Sequence, residues 1–180
     1  HGRQTVTKDN TTSPTTVAET MYEYQGRPVI QVLPAPTLNS IIKYTPYFNT
    51  TVNNTEYDKS QYDSLDAPEH FLQAAANAMG TGSGASKYYS DQNPYANEGV
   101  GKFIPDAGGW PFTETTYTQD NTGRISSQSG VGPVYKIAGN HETRYSYGSA
   151  TQKELDAIFG TEAGDESHYF KNMTRDANGQ

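Results

Sequence analysis

The residue whose chemistry would be most specific is His1, because a glycine follows it. An N-terminal histidine can bind copper through its amino group and its ring, and a second histidine completes the brace found in copper-dependent polysaccharide monooxygenases. The residues that could act as second ligand or axial neighbour are His70, His141, His168, Tyr169 and Phe170. The Gly-Arg that follows His1 instead matches a turn that recurs along the chain. We therefore predict that His1 belongs to a turn and that the chain holds no metal or cofactor, with the copper brace as the weaker alternative.

Carboxylates in the last third of the chain could supply the acid pair of a glycoside hydrolase. The candidates are Glu142, Asp156, Asp165 and Glu166. With 20 acidic residues in the chain some such proximity is expected by chance, so solvated surface carboxylates are the simpler interpretation. Tyrosines and Trp110 could bind carbohydrate by stacking, although aromatic residues in β-rich proteins more often pack across strands. We predict no catalytic residue and keep a secreted carbohydrate-binding module as an alternative.

The composition favours β-structure and excludes several classes of function. The 180 residues include 14 Tyr, 6 Phe and 1 Trp, although only 33% of residues are hydrophobic, so aromatic rings must supply much of the core. The net charge of −7 and the absence of a basic run argue against nucleic-acid binding. No apolar run approaches the roughly 20 residues that span a bilayer, so no membrane span is predicted.

Most of the chain is predicted to form short antiparallel strands, giving a mainly β fold of hairpins that is part of a β-shell or sandwich, with two short helices. The predicted strands are residues 21–25, 29–33, 41–48, 100–104, 112–119, 124–128, 134–138, 142–147 and 168–174. Pro34 and Pro36 are expected to end the second strand, since proline cannot donate to a sheet ladder. Residues 49–64 are polar and are predicted to be a surface excursion.

Two stretches carry helix signals. Asp66 and Glu69 form a capping pattern that predicts a helix over residues 66–79, and the glycine-rich residues 80–86 are predicted to be a flexible link. Thr151 and Glu154 form a second capping box, and Gly160 is expected to end that helix. The residues expected to dock it on the sheet are Leu155, Ile158 and Phe159. We predict one segment over residues 1–180, with a possible subdivision into 1–79 and 88–180 around the glycine-rich link at residues 80–86.

A turn pattern with a glycine followed by a long polar side chain recurs four times. The four occurrences are residues 1–4 (HGRQ), 24–27 (YQGR), 120–124 (DNTGR) and 176–180 (DANGQ). The glycine can supply the positive φ that such a turn needs. The residues predicted to set these turns are Gly26, Arg27, Gly123, Arg124 and Gly179.

The chain resembles the bacterial Rhs/YD-repeat family, in the region that precedes the main repeats of its very large members. The stretches that carry the resemblance are MYEYQGRPVIQVLPAPT, YYSDQNP, YTQDNTGRISSQSGVGP, HETRYSYGSATQKELDAIFGTEAG and HYFKNMTRDANGQ. The resemblance implies hairpins wound into a hollow shell around a toxin or effector domain, or presenting an adhesive one. The self-cleaving aspartate core of some members is not found here, so the resemblance implies no catalytic residue.

The resemblance also implies partners and a location. The partners would be the remainder of a long chain, an enclosed effector domain, or surface and secretion-system proteins. The location would be secreted or cell-surface. Because the turn at residues 176–180 would normally be followed by a return strand, we expect the chain to be part of a longer protein.

Overall fold

A computed structural model describes residues 2–10, 13–63 and 75–180. Within these ranges seven strands form one antiparallel sheet, in which each strand pairs with its neighbours in sequence. The strands are β1 (Gly2–Thr7), β2 (Thr16–Tyr22), β3 (Pro28–Pro36), β4 (Phe112–Tyr117), β5 (Ile125–Gln128), β6 (Thr143–Ser149) and β7 (Phe170–Arg175). The prediction of a mainly β chain of antiparallel hairpins is therefore confirmed.

Two α-helices accompany the sheet in the described ranges: α1 (Gly84–Tyr88) and α2 (Gln152–Phe159). Short 3-10 turns lie at Lys59–Gln61, Gly99–Phe103, Gly160–Ala163 and Glu166–His168. In α2, the Thr151 side chain caps the N–H of Glu154 and the Glu154 carboxylate caps the N–H of Thr151, and Gly160 ends the helix with φ +67. The predicted capping box and its end are confirmed.

The described part of the first predicted helix is not helical. Residues 66–74 of that prediction lie outside the described residues, whereas residues 75–79 are not helical. Met79 instead forms an isolated bridge with Thr51 and is buried. None of the helices in the described part of the chain has the length and apolar character to cross a bilayer.

The predicted flexible link at residues 80–86 is packed. The N–H of Gly80 donates to the Thr50 carbonyl at 2.8 Å, and a Cβ at Gly80 would lie 2.4 Å from the Thr51 carbonyl oxygen. Helix α1 begins at Gly84, inside the predicted link. Strand β3 pairs directly with β4, so the sheet is continuous between the parts that precede and follow this segment.

The core combines sheet residues with the loop that was predicted to be a surface excursion. Val17, Ile30 and Phe112 contribute from β2, β3 and β4, and Tyr57 and Tyr62 from the loop are 3% and 1% exposed. The Tyr57 hydroxyl donates to the Asn77 carbonyl at 2.6 Å, which satisfies a polar group that burial would otherwise penalise. The prediction of a surface excursion over residues 49–64 is therefore wrong for Tyr57 and Tyr62, which pack in the core, whereas residues 52–56 and 58–60 are exposed as predicted.

Several strand boundaries differ from the predictions. Residues 41–48 and 134–138 form loops and turns, and residues 100–104 lie largely in a 3-10 turn in which Val100 is 81% exposed. Strand β3 continues through Pro34 and Pro36. It tolerates them because β4 pairs with β3 only over Ile30–Val32, so beyond that point β2 is its one strand neighbour. Residues 2–4 lie in β1 rather than in a turn.

Candidate functional site

The turn between β2 and β3 is closed by its own carboxylate. The N–H of Glu23 donates to the Arg27 carbonyl at 3.0 Å, and the N–H of Gly26 donates to the Glu23 carbonyl at 2.9 Å. Glu23 Oε1 also accepts the N–H groups of Gln25 and Arg27, at 3.1 and 3.2 Å. Gly26 has φ +80, which glycine adopts without strain. Five consecutive residues thus satisfy most of the polar groups of the turn.

The turn after β7 repeats these contacts. The N–H of Asp176 donates to the Gln180 carbonyl at 2.8 Å, and that of Gly179 donates to the Asp176 carbonyl at 3.0 Å. Asp176 Oδ1 accepts the N–H groups of Asn178 and Gln180, both at 2.9 Å. Gly179 has φ +83. The two turns share four corresponding hydrogen bonds although their sequences share only the glycine and an acidic first residue.

The turn between β4 and β5 is a wider version of the same unit. Here the N–H of Thr118 donates to the Arg124 carbonyl at 2.8 Å, and Gly123 has φ +71. Asp120 Oδ1 accepts the N–H of Thr122 at 3.1 Å and the hydroxyls of Thr118 and Thr122 at 2.6 Å each. Together with Arg124 these donors hold the pKa of Asp120 well below its usual range. The carboxylate is therefore a structural acceptor.

The arginines of the β2–β3 turn and of the β4–β5 turn each attach their turn to a further strand. Arg27 pairs with Glu23 at 3.0 Å, and its guanidinium lies 4.3 Å from the ring centre of Tyr117 on β4. The Tyr117 hydroxyl donates at 2.8 Å to the carbonyl of Pro28, the residue after the arginine. We call this combination of ion pair, ring stacking and hydroxyl bond an Arg–Tyr clamp.

The second clamp has the same design. Arg124 pairs with Asp120 at 2.7 Å and lies 4.5 Å from the ring centre of Tyr147 on β6. The Tyr147 hydroxyl donates at 2.9 Å to the carbonyl of Ile125, again the residue after the arginine. Each clamp joins the turn between two strands to the next strand of the sheet. The Gly-Arg pattern was visible in the sequence, whereas the tyrosine partners were not, because nothing in their spacing identifies the strand on which they lie.

Fewer apolar side chains of helix α2 are buried than predicted. Leu155 is 4% exposed, but Ile158 and Phe159, also predicted to dock the helix, are 71% and 60% exposed. Polar contacts hold the helix instead, since Glu154 forms an ion pair with Lys171 of β7. Leu155 is therefore the buried apolar residue of this eight-residue helix, whereas the apolar side chains of its last turn are exposed.

Two of the carboxylates considered for enzymatic chemistry contact the same residue. Asp156 accepts a hydrogen bond from the side-chain amide of Gln152 at 2.9 Å, and Glu166 accepts one from the backbone N–H of Gln152. His1 and His70 lie outside the described residues, and in the described ranges no group of three metal-binding side chains is found. Glu142 is buried and pairs with Arg144 at 2.6 Å. Trp110 donates to the Ala76 carbonyl at 3.3 Å, and the Lys136 ammonium covers its ring at 4.7 Å, so that face is not open for sugar stacking.

An acidic cavity of about 720 Å³ lies between the start of the sheet and the loop over residues 44–62. Its lining contains five tyrosines, four carboxylates and one lysine: Tyr22, Tyr24, Tyr44, Tyr57, Tyr62, Glu19, Glu23, Glu56, Asp58 and Lys59. Burial raises the pKa of Glu19, Asn49 and Gln4 oppose this by donating to its carboxylate, and Glu56 raises it further. Burial and these two carboxylates also raise the pKa of Tyr44. The cavity thus has a negative field and exposed aromatic rings.

A buried carboxyl group that does not line this cavity lies on β4. Glu114 is 2% exposed, and its Oε2 accepts the Ala76 N–H at 3.0 Å. Oε1 has no hydrogen-bond partner in the part of the chain that the structure describes. Burial raises the pKa of Glu114 to about 7, and the bond from Ala76 partly opposes the shift.

Comparison of the chain with known proteins identifies no relative. No protein-family model matches the chain, and neither the curated proteins nor the solved structures contain a match. Functional conclusions therefore depend on the geometry of the chain itself.

Proposed function

We propose that this chain is a structural segment of a large cell-surface or secreted shell of the Rhs/YD-repeat type, which encloses or presents an effector, toxin or adhesive domain. The observation that carries the proposal is the repeated turn unit in a sheet whose seven described strands follow one another in sequence order. A wall built from successive hairpins needs this topology, because each new hairpin adds to the edge left by the previous one.

The Arg–Tyr clamps explain how such a wall would stay continuous. A hairpin alone is marginally stable, and adding a third strand with a packed face stabilises it. Arg27 and Arg124 contact tyrosines of the strand beyond their own hairpin, so each clamp couples two hairpins. The acidic residues and arginines of these turns are engaged with each other, which suits a structural role.

The outer strand β7 supports a further partner along the sheet. Phe170 and Met173 of β7 are 88% and 51% exposed, a costly arrangement for an edge strand in water. The turn that follows β7 has the hydrogen bonds with which the first turn directs the chain into β3. In the proposed shell this turn begins the next strand.

Cryo-electron microscopy of the native full-length gene product tests the proposal. We expect a closed β-wall in which the sheet continues past both β1 and β7, around an interior that protects a second domain from added protease. A full-length product in which β1 and β7 both face solvent, with no enclosed or attached domain, would refute the shell.

Carbohydrate binding is a second candidate, favoured by the acidic cavity. The Glu56 carboxylate makes no hydrogen bond or ion pair among the described residues, and the Tyr44 ring is 60% exposed, so an acceptor for sugar hydroxyls and a stacking face lie in one cavity.

A glycan array with the parent chain and the Tyr44→Ala and Glu56→Gln variants tests this second candidate. We expect specific glycan signals that both variants lose and that Glu98→Gln, an exposed carboxylate outside the cavity, retains. Absence of signal from the parent, or equal signals from all variants, would contradict it.

A further inference from the structure

A second cavity, of about 360 Å³, lies between residues 36–48 and residues 82–95. Its volume is typical of pockets that bind small molecules. Four aromatic side chains line it: Tyr47, Phe48, Tyr88 and Tyr95. Tyr88 and Tyr95 face each other edge to face, with ring centres 6.3 Å apart. We call this space the aromatic cavity.

Hydrogen bonds and close packing fix the walls of the aromatic cavity. Asn49, which is 3% exposed, accepts a backbone N–H of α1 on its Oδ1 at 3.0 Å. The hydroxyls of Thr50 and Ser83 lie 2.7 Å apart and join the same two segments. Gly84 has φ +57, and a Cβ there would lie 2.1 Å from the Phe48 carbonyl oxygen, so the helix begins directly against the opposite wall. The cavity is therefore formed before a ligand arrives.

The backbone at the mouth of the cavity is strained. Tyr47 has φ +53, a conformation that bulky residues rarely adopt, and its ring is 61% exposed. Next to it, Phe48 is 7% exposed. Such strain persists where the surrounding structure holds it, and it is concentrated at ligand sites. Here it directs one ring outward, to the cavity mouth, and the next one inward.

The charge of the cavity is opposite to that of the chain. The chain carries a net charge of −7, yet the described residues lining this cavity include no carboxylate and a single cation, Lys87. Lys87 is half-buried, and its ammonium forms no ion pair or hydrogen bond within the described ranges. An ammonium beside aromatic walls is a site for a negatively charged group, since an anion there gains a charge-assisted hydrogen bond in a partly desolvated place.

We propose that the aromatic cavity binds a small aromatic carboxylate. The ring of the ligand lies among Tyr47, Tyr88 and Tyr95, and its carboxylate accepts a hydrogen bond from the Lys87 ammonium. An organic cation would meet Lys87 with no compensating carboxylate. A neutral sugar would find too few polar partners on walls that are mostly apolar. The site is separate from the turns on which the shell depends, so this inference stands independently of the proposed function.

Isothermal titration of the 180-residue chain with 3-phenylpropionate and with its uncharged amide tests the proposal. We expect the carboxylate to bind roughly tenfold more tightly than the amide, which corresponds to about 1.4 kcal/mol. Lys87→Met should remove this preference, whereas Lys102→Met, which alters an exposed lysine outside the cavity, should keep it. Raising the salt concentration should weaken binding of the carboxylate and leave that of the amide unchanged.

Tyr47→Ala provides a second and independent variant. It removes an exposed ring, so the fold should survive, as a far-ultraviolet circular dichroism spectrum equal to that of the parent would show. Both ligands should bind this variant several-fold more weakly. The proposal is overturned if the parent binds neither compound, if the amide binds as tightly as the carboxylate, or if Lys87→Met retains the preference.

Discussion

Replacing Glu114 with glutamine should change how the stability of the chain depends on pH. The Glu114 side chain lies in the core on β4, with one oxygen bonded to the Ala76 N–H and the other unpaired in the described part of the chain. Ionising it there is unfavourable because little in the core replaces its hydration. Glutamine has nearly the same shape and can accept the same hydrogen bond, but it does not titrate.

The sign and size of the effect follow from the pKa. Burial raises the pKa of Glu114 from its ordinary value of 4.5 to about 7, so between these values the folded chain holds a proton that the unfolded chain has released. Stability from this group is therefore complete below pH 4.5 and falls until the pH passes about 7. At about 1.4 kcal/mol for each tenfold change in proton affinity, the total loss is about 3 kcal/mol.

Urea unfolding of the parent and of Glu114→Gln at pH 5 and pH 8 measures this loss. The free energy of unfolding of the parent should fall by roughly 2 to 3 kcal/mol more than that of the variant over this interval. Taking the difference removes the contributions of other titrating groups, including the raised pKa of Glu19. Equal pH dependence of the two proteins would refute the assignment of a buried, protonated Glu114.

Three further predictions concern the turns and α2. Gly123→Val should destabilise the chain by about 1 to 3 kcal/mol in thermal unfolding through strain at φ +71, whereas Gly148→Val, in strand β6 with open space around it, should be nearly neutral. Arg27→Met should cost about 2 to 3 kcal/mol because it removes the ion-pair partner of a buried glutamate. Arg124→Met should cost less, since that pair is exposed, and equal losses would contradict this. Thr151→Ala should cost about 1 kcal/mol and reduce helicity measured by circular dichroism.

Elements determined by contacts over a few residues were predictable from the sequence. The turns at Gly26, Gly123 and Gly179 were predicted from a glycine with a long polar residue after it, and all three glycines have positive φ. The capping box of α2 needs only Thr151 and Glu154. In these turns and at this helix end, the backbone hydrogen bonds are made by residues a few positions apart. The local sequence is therefore sufficient to predict them.

Features determined by distant contacts were not predictable in this way. Tyr57 and Tyr62 lie in a polar stretch, and they are buried because the sheet offers a face that the loop can cover. The aromatic cavity joins residues 36–48 to residues 82–95, and the pattern of neither segment indicates the other. Ile158 and Phe159 have the correct helical spacing for docking, but spacing alone does not show that a surface lies opposite them.

The Arg–Tyr clamps combine a local turn, which the sequence predicts, with a distant tyrosine, which it does not. Each clamp combines a local turn with a tyrosine on the next strand, so separating two neighbouring hairpins breaks a stacking contact and a partly buried hydroxyl bond together. The turn after β7 has the backbone bonds of the turn between β2 and β3 but carries Gln180 where that turn carries Arg27. Without a guanidinium this turn cannot form the clamp. In the proposed shell, a strand that follows this turn would be held by strand pairing and by burial of Phe170 and Met173, without such a clamp.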